Sequence, residues 1–136
     1  MIDSKNIIKY AFTNKDIDNQ NVYLLGASMG GATSIYSSSY YQDKLKGLIL
    51  MNTFTSLPEV VDNMNIILRI FRPLVLNNYW PSEKRIKVIS LPILFISGDS
   101  DEMIPPSQMD RLFKSAATSK FKRMYKVKGG EHNDTW

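Results

Sequence analysis

Apolar positions along this chain come in two kinds of block. Short continuous runs at residues 21–25 (NVYLL), 47–52 (GLILMN) and 91–99 (LPILFISGD) have the length of buried strands and are bounded by Gly, Asn, Pro and Asp. Between them the apolar residues recur at helical spacing. Ile7, Ile8, Ala11 and Phe12 mark a short amphipathic helix, followed by the polar connector NKDIDNQN. Residues 30–41 (GGATSIYSSSYY) read as a helix with a first turn of small residues. The strongest helical signal is the set Leu57, Val60, Val61, Met64, Ile67, Leu68 and Phe71, at offsets 0, 3, 4, 7, 10, 11 and 14, ending near Pro73. That helix is expected to pack on the sheet. The stretch LNNYWPSEK reads as irregular, and PPSQMDRLFKSA reads as a helix begun by proline. FKRMYKVKG, residues 121–129, alternates basic and apolar positions as a final strand.

Short apolar strands separated by helices predict parallel pairing, because parallel neighbours need a crossover and a helix supplies it. Continuously apolar strands also call for burial on both sides. The expected class is therefore α/β: a mostly parallel sheet of about four strands with helices on both faces. At 136 residues and 43% hydrophobic, the chain supports a single domain over residues 1–136. No internal repeat, low-complexity segment or interdomain linker interrupts it.

Composition narrows the chemistry by exclusion. Cysteine is absent, which removes disulfides, thiolate metal sites and a cysteine nucleophile. No cofactor and no metal are expected, and GASMGGATS fits neither of the glycine patterns that cradle phosphate. The net charge is +4, but the lysines and arginines are scattered. EKRIK and KFKRMYKVK alternate with apolar residues as one wet face of a strand or helix does, so no nucleic-acid partner is expected. No apolar run approaches the roughly 20 residues that a membrane-spanning helix needs. The first residues also lack the basic start and apolar block of a secretory signal.

Candidate chemistry lies at the ends of the strand-like runs. GASMG, Gly26 to Gly30, follows the first run and opens a small-residue helix, which is the setting of the G-x-S-x-G nucleophile elbow. In such an elbow the serine holds a strained backbone on a tight strand-to-helix turn. Gly26 and Gly30 are expected to let strand and helix approach without side-chain collision, and Ser28 is the candidate nucleophile. A tight turn without chemistry is the plain alternative. Past the third run, ISGDSDEMIPP carries Asp99, Asp101 and Glu102 at the edge where open α/β sheets form their sites. Asp101, three residues after Gly98 and four before Pro105, is the candidate acid, with Asp99 a turn residue and Glu102 a solvated neighbour. GGEHNDTW then holds His132, the one histidine of the chain, in a glycine-rich loop after the last strand. Nucleophile, acid and base thus follow one another in chain order, each after its own strand.

Together GASMGGA, NTFTSLP, LFISGDSDEMIPP and GGEHNDTW resemble the C-terminal half of an α/β-hydrolase. The branch is that of the bud-emergence-related proteins and the α/β-hydrolase-domain-containing protein 13 type, and the resemblance runs over nearly the whole chain. It implies serine hydrolase chemistry on an ester or thioester, with a small-molecule or lipid acyl substrate. In that chemistry Ser28 attacks the acyl carbonyl, His132 moves the proton, Asp101 orients the imidazole, and the backbone N–H of Met29 is one oxyanion donor. The resemblance also implies membrane association through an N-terminal segment that this chain lacks. Against the family pattern, the early strands and the His-Gly oxyanion loop are absent, so weak or undetectable activity is expected of this chain alone. The run 21–25 is left as an unpaired sheet edge, and self-association through that edge or the adjoining apolar face is expected. A catalytically inactive relative serving as an interaction or scaffold protein is the alternative.

Overall fold

The apolar runs form the strands of one parallel sheet. The structure, a computed structural model, describes residues 2–64 and 79–135. In chain order the elements are α1 (Ile2–Thr13), β1 (Tyr23–Ala27), α2 (Met29–Tyr41), β2 (Gly47–Met51), α3 (Leu57–Met64), α4 (Ser82–Ile86), β3 (Ile93–Gly98), α5 (Pro106–Ser115) and β4 (Lys122–Val127). The strands lie side by side in the order β1-β2-β3-β4, and every neighbouring pair is parallel. Of the long apolar stripe that begins at Leu57, the positions Ile67, Leu68 and Phe71 lie outside the described residues.

Alternation along the strands separates two faces. Leu24, Leu48, Leu50, Ile93, Phe95 and Met124 point to one side, where they pack with Ile35 of α2, Ile86 of α4 and Met109 and Leu112 of α5. Phe12 of α1 joins this core with its ring edge-on to Tyr41, the centroids 6.0 Å apart. The opposite face carries Tyr23, Leu25, Ile49, Leu94, Ile96 and Tyr125. There Tyr23, Leu25 and Tyr125 are 59%, 65% and 63% exposed. An apolar groove of about 310 Å³ runs across that face between Tyr23, Ile49, Leu94 and Phe121.

The parallel sheet and its α/β class are as the sequence predicts, but among the described residues the helices that pack on the sheet do so on one face rather than both. The strand order gives the reason. When consecutive parallel strands are laid down in one direction through crossovers of one hand, every connecting helix falls on the same side. Helices reach the second side where the strand order reverses.

Two elements differ from the sequence reading in detail. α4 occupies part of the stretch read as irregular. A helix of five residues is too short to show a period, and its signal lies in the ends: Pro81 before it, Glu83 in its first turn, Lys84 and Arg85 in its last. The described part of α3 does not lie on the sheet. Val60 and Leu57 pack instead on Phe54 and Ile104, from the loops after β2 and β3, and on Ala32 and Trp80. α3 therefore covers strand ends. Arg111 of α5 fastens it there, donating to Glu59 of α3 and, at 2.5 Å, to Glu83 of α4. Those two carboxylates, Glu59 first, hold the guanidinium pKa above its ordinary value.

Candidate active site

Parallel strands end on the same side, so the loops that follow them share a rim. The ladder continues one step past each strand. Ser28 N–H donates to the Met51 carbonyl at 3.0 Å, Asn52 N–H to the Ile96 carbonyl at 3.1 Å and Asp99 N–H to the Val127 carbonyl at 3.1 Å. Ser28, Asn52 and Asp99 are thus held at the sheet's carboxyl edge by backbone bonds, before any side chain acts.

Ser28 is the single residue between β1 and α2 and adopts φ 50°, ψ −122°. A side chain in that region is strained, and only a well-determined surrounding keeps it there. Part of that surrounding is Thr53, whose Oγ1 donates to the Ser28 carbonyl at 2.7 Å. A Cβ on Gly26 would lie 2.4 Å from the Gly30 carbonyl oxygen, so strand and helix meet at Gly26. Gly30 does not share that role, because a Cβ there would touch nothing within 4 Å. The second obligatory glycine is Gly31, where a Cβ would fall 2.4 Å from the Thr53 Cβ. The G-x-S-x-G spacing points to Gly30, but the helix turns that residue outward and Gly31 inward.

A serine at a helix start commonly caps the first turn through its hydroxyl. Ser28 makes no such bond. Its Oγ lies 3.1 Å from His132 Nε2 instead. The other ring nitrogen, Nδ1, lies 2.8 Å from Asp101 Oδ2. Since a carboxylate accepts, Nδ1 carries a proton, and in a neutral ring that leaves Nε2 as the acceptor facing the serine hydroxyl. The Asp101 side chain is 1% exposed and that of His132 11%. A carboxylate so buried needs its oxygens satisfied. Asp101 Oδ1 accepts from the N–H groups of Met103 at 3.0 Å and Ile104 at 2.8 Å. Residues 28, 101 and 132, singled out in the sequence, are therefore hydrogen-bonded in series. Asp99, expected as a turn residue, also ties two loops together, its Oδ1 accepting from the Gly129 N–H at 2.7 Å. Met29 opens α2 and is 57% exposed; at the first helical position its N–H has no acceptor within the helix. An open depression of about 320 Å³, lined by Ser100, Glu102, Met103 and Glu131, adjoins the imidazole. Among the described residues no group of three or more His, Asp or Glu side chains could hold a metal ion. No described helix is long and apolar enough to cross a membrane.

Residues 2–90 match the Hydrolase_4 family, described as serine aminopeptidase, S33. The chain belongs to that family. The Hydrolase_4 match takes in Ser28 and the elbow glycines and ends before Asp101 and His132. Among relatives, protein bem46 of Schizosaccharomyces pombe is 34% identical over 140 residues, covering 98% of this chain and 45% of its own length. The uncharacterized membrane protein YNL320W of Saccharomyces cerevisiae is 33% identical over 136 residues, covering 98% of this chain and 47% of its own. The chain thus spans about half the length of these relatives. Its backbone superposes on a Mycobacterium tuberculosis puromycin-hydrolyzing peptidase with a TM-score of 0.79 at 18% identity, over 99% of this chain and 22% of that one. That likeness is one of fold.

Within this Hydrolase_4 chain the sequence reading passed over three polar residues of the rim, Asn52, Thr53 and Thr135, which are 2%, 0% and 1% exposed. Asn52 and Thr53 directly follow β2, the position that Ser28 holds after β1. That shared position was the available signal.

Proposed function

We propose that the chain carries the nucleophile, base and acid of a serine hydrolase that cleaves acyl esters or thioesters. The observation that carries the reading is the series of contacts from Ser28 Oγ through His132 to Asp101, at 3.1 Å and 2.8 Å. Ser28 Oγ attacks the acyl carbonyl carbon as its proton passes to His132 Nε2, and the carbonyl oxygen becomes an oxyanion. The imidazolium formed is stabilised by the Asp101 carboxylate. The tetrahedral intermediate collapses, the bond to the leaving oxygen or sulfur breaks, and His132 returns the proton to that atom. Water then repeats the sequence on the acyl-serine and restores the hydroxyl.

The Met29 N–H, next to the nucleophile, is suited to hold the oxyanion. With one donor identified, turnover by this chain alone is expected to be slower than in a two-donor site by about 10² to 10³. That handicap favours esters and thioesters, whose leaving groups depart more readily than amines. A second reading, an aminoacyl substrate, draws on Glu102 and Glu131 in the depression beside His132, carboxylates that suit a free ammonium group.

A fluorophosphonate probe tests the nucleophile directly. Labelling of the chain that disappears in Ser28→Ala is the expected result. Equal labelling of both proteins, or of neither, would overturn the assignment, and the second case would favour an inactive binding relative. Among substrates, a p-nitrophenyl acyl ester should be turned over faster than an aminoacyl p-nitroanilide; the reverse order would favour the aminoacyl reading.

A further inference from the structure

Asn52 takes no part in the acyl chemistry above, yet its side chain ties two rim loops together. It follows β2 directly, is buried, and holds φ 42°, a left-handed backbone that asparagine tolerates better than most residues. Its Oδ1 accepts from the Gly98 N–H at 2.9 Å. Its Nδ2 faces three oxygens: Thr135 Oγ1 at 2.7 Å, the Glu131 carbonyl at 3.0 Å and the His132 carbonyl at 3.1 Å. An N–H on one side and three acceptors on the other settle which end of the amide is which. Thr135 Oγ1 donates in turn to the Glu131 carbonyl.

The loop that carries His132 has two separate anchorages. Residues 129 and 130 are held by Asp99, which accepts from the Gly129 N–H, and by the Ser100 N–H, which donates to the Gly130 carbonyl at 3.0 Å. From residue 131 onward the bonds to the rest of the sheet edge are those of the His132 ring to Asp101 and Ser28 and those of the Asn52 amide, which alone among them holds the main chain. It grips the backbone at His132 itself, at the residue before it, and at the hydroxyl three residues on. From the geometry we infer that Asn52 is a positioning residue, which fixes the imidazole of His132 between Asp101 and Ser28. The inference rests on the reading of His132 as the base. Asn52 touches no reacting atom; it acts through the His132 backbone. Displacing a reacting group by about 1 Å costs on the order of 10²-fold in rate.

The variant that isolates the side chain is Asn52→Gly, because glycine adopts the left-handed conformation without strain. Two readouts are taken on the whole chain. One is the NMR resonance of the Nδ1–H that donates to Asp101, unambiguous because the chain has one histidine. The other is the rate of fluorophosphonate labelling at Ser28. With the fold retained by circular dichroism, Asn52→Gly is expected to broaden or lose the imidazole resonance. It should also slow labelling about 10²-fold, with the dependence on probe concentration unchanged. An unaltered resonance together with labelling within twofold of wild type would overturn the inference.

Should Asn52→Gly fail to fold, Thr135→Val and Thr135→Ser decide. Valine removes one acceptor of the amide and serine restores it, so slowed labelling in the first and recovery in the second are expected. No effect of valine, or no recovery with serine, would contradict the role. If the wild type takes no label at all, the hydrolase reading fails, while the imidazole resonance still decides whether Asn52 positions the ring.

Discussion

A Cβ placed on Gly31 would come within 2.4 Å of the Thr53 Cβ, whereas one on Gly30 would meet open space. Two adjacent glycines in the first turn of α2 therefore have opposite tolerances. Gly31→Ala is expected to cost about 1 to 3 kcal/mol by overpacking against the residue that holds the Ser28 carbonyl. Gly30→Ala is expected to be neutral or to stabilise by up to about 1 kcal/mol, since alanine is the better helix former. Thermal unfolding of the two variants measures both, and equal effects would contradict the packing described here. Residues 28, 101 and 132 could be picked out in the sequence because each has a local mark: a glycine-flanked serine, an acid in a Gly-to-Pro loop, and a lone histidine after the last strand. Asn52 has no such mark. Its side-chain partners lie 46 to 83 residues away, so its role exists only after the strand ends have been brought together. The outward turn of Gly30 was hidden for a related reason, since a motif fixes spacing but not which way a helix rolls.

At the scale of elements, the two edges of the sheet are unlike. β4 presents Lys122, Arg123 and Lys126, and Lys126 pairs with Asp110 at 3.0 Å. Charged side chains, lysine above all, discourage a further strand from adding to an edge. β1 is Tyr-Leu-Leu-Gly-Ala, with no charge along its length, and Tyr23 and Leu25 extend its apolar surface onto the bare face. An edge of that kind predicts that the chain self-associates in solution. Light scattering at micromolar concentration should report a species larger than one chain, and Leu25→Lys should shift it toward the monomer. A strictly monomeric wild type would contradict this. The strands were legible because apolar runs of that length between turn residues leave little choice of structure. α4 was not, because a single turn has no period to read. Nor was the seat of α3: its stripe marks the side that is buried, but Phe54 and Ile104, which that side meets, and Arg111, which bonds Glu59, lie elsewhere in the chain.

Across the whole molecule, a simple progression of parallel strands does two things at once. It gathers the sheet-packed helices of the described residues on one face, and it brings the loops after β1, β2, β3 and β4 to one rim. The first consequence follows from strand order, which alternating elements in a sequence do not disclose; the second follows from parallelism alone, and so the sequence could carry it. Membership of the Hydrolase_4 family and the parallel sheet agree with a hydrolase. The finer claim is that His132 takes the proton of Ser28. It has a direct consequence for a variant that lacks the ring. The deciding measurement is the rate of fluorophosphonate labelling at Ser28 in His132→Ala against the wild type. The rate should fall by at least about 10²-fold, since a positioned general base contributes roughly 10² to 10⁴. Labelling of His132→Ala at the wild-type rate would show that His132 is not the base.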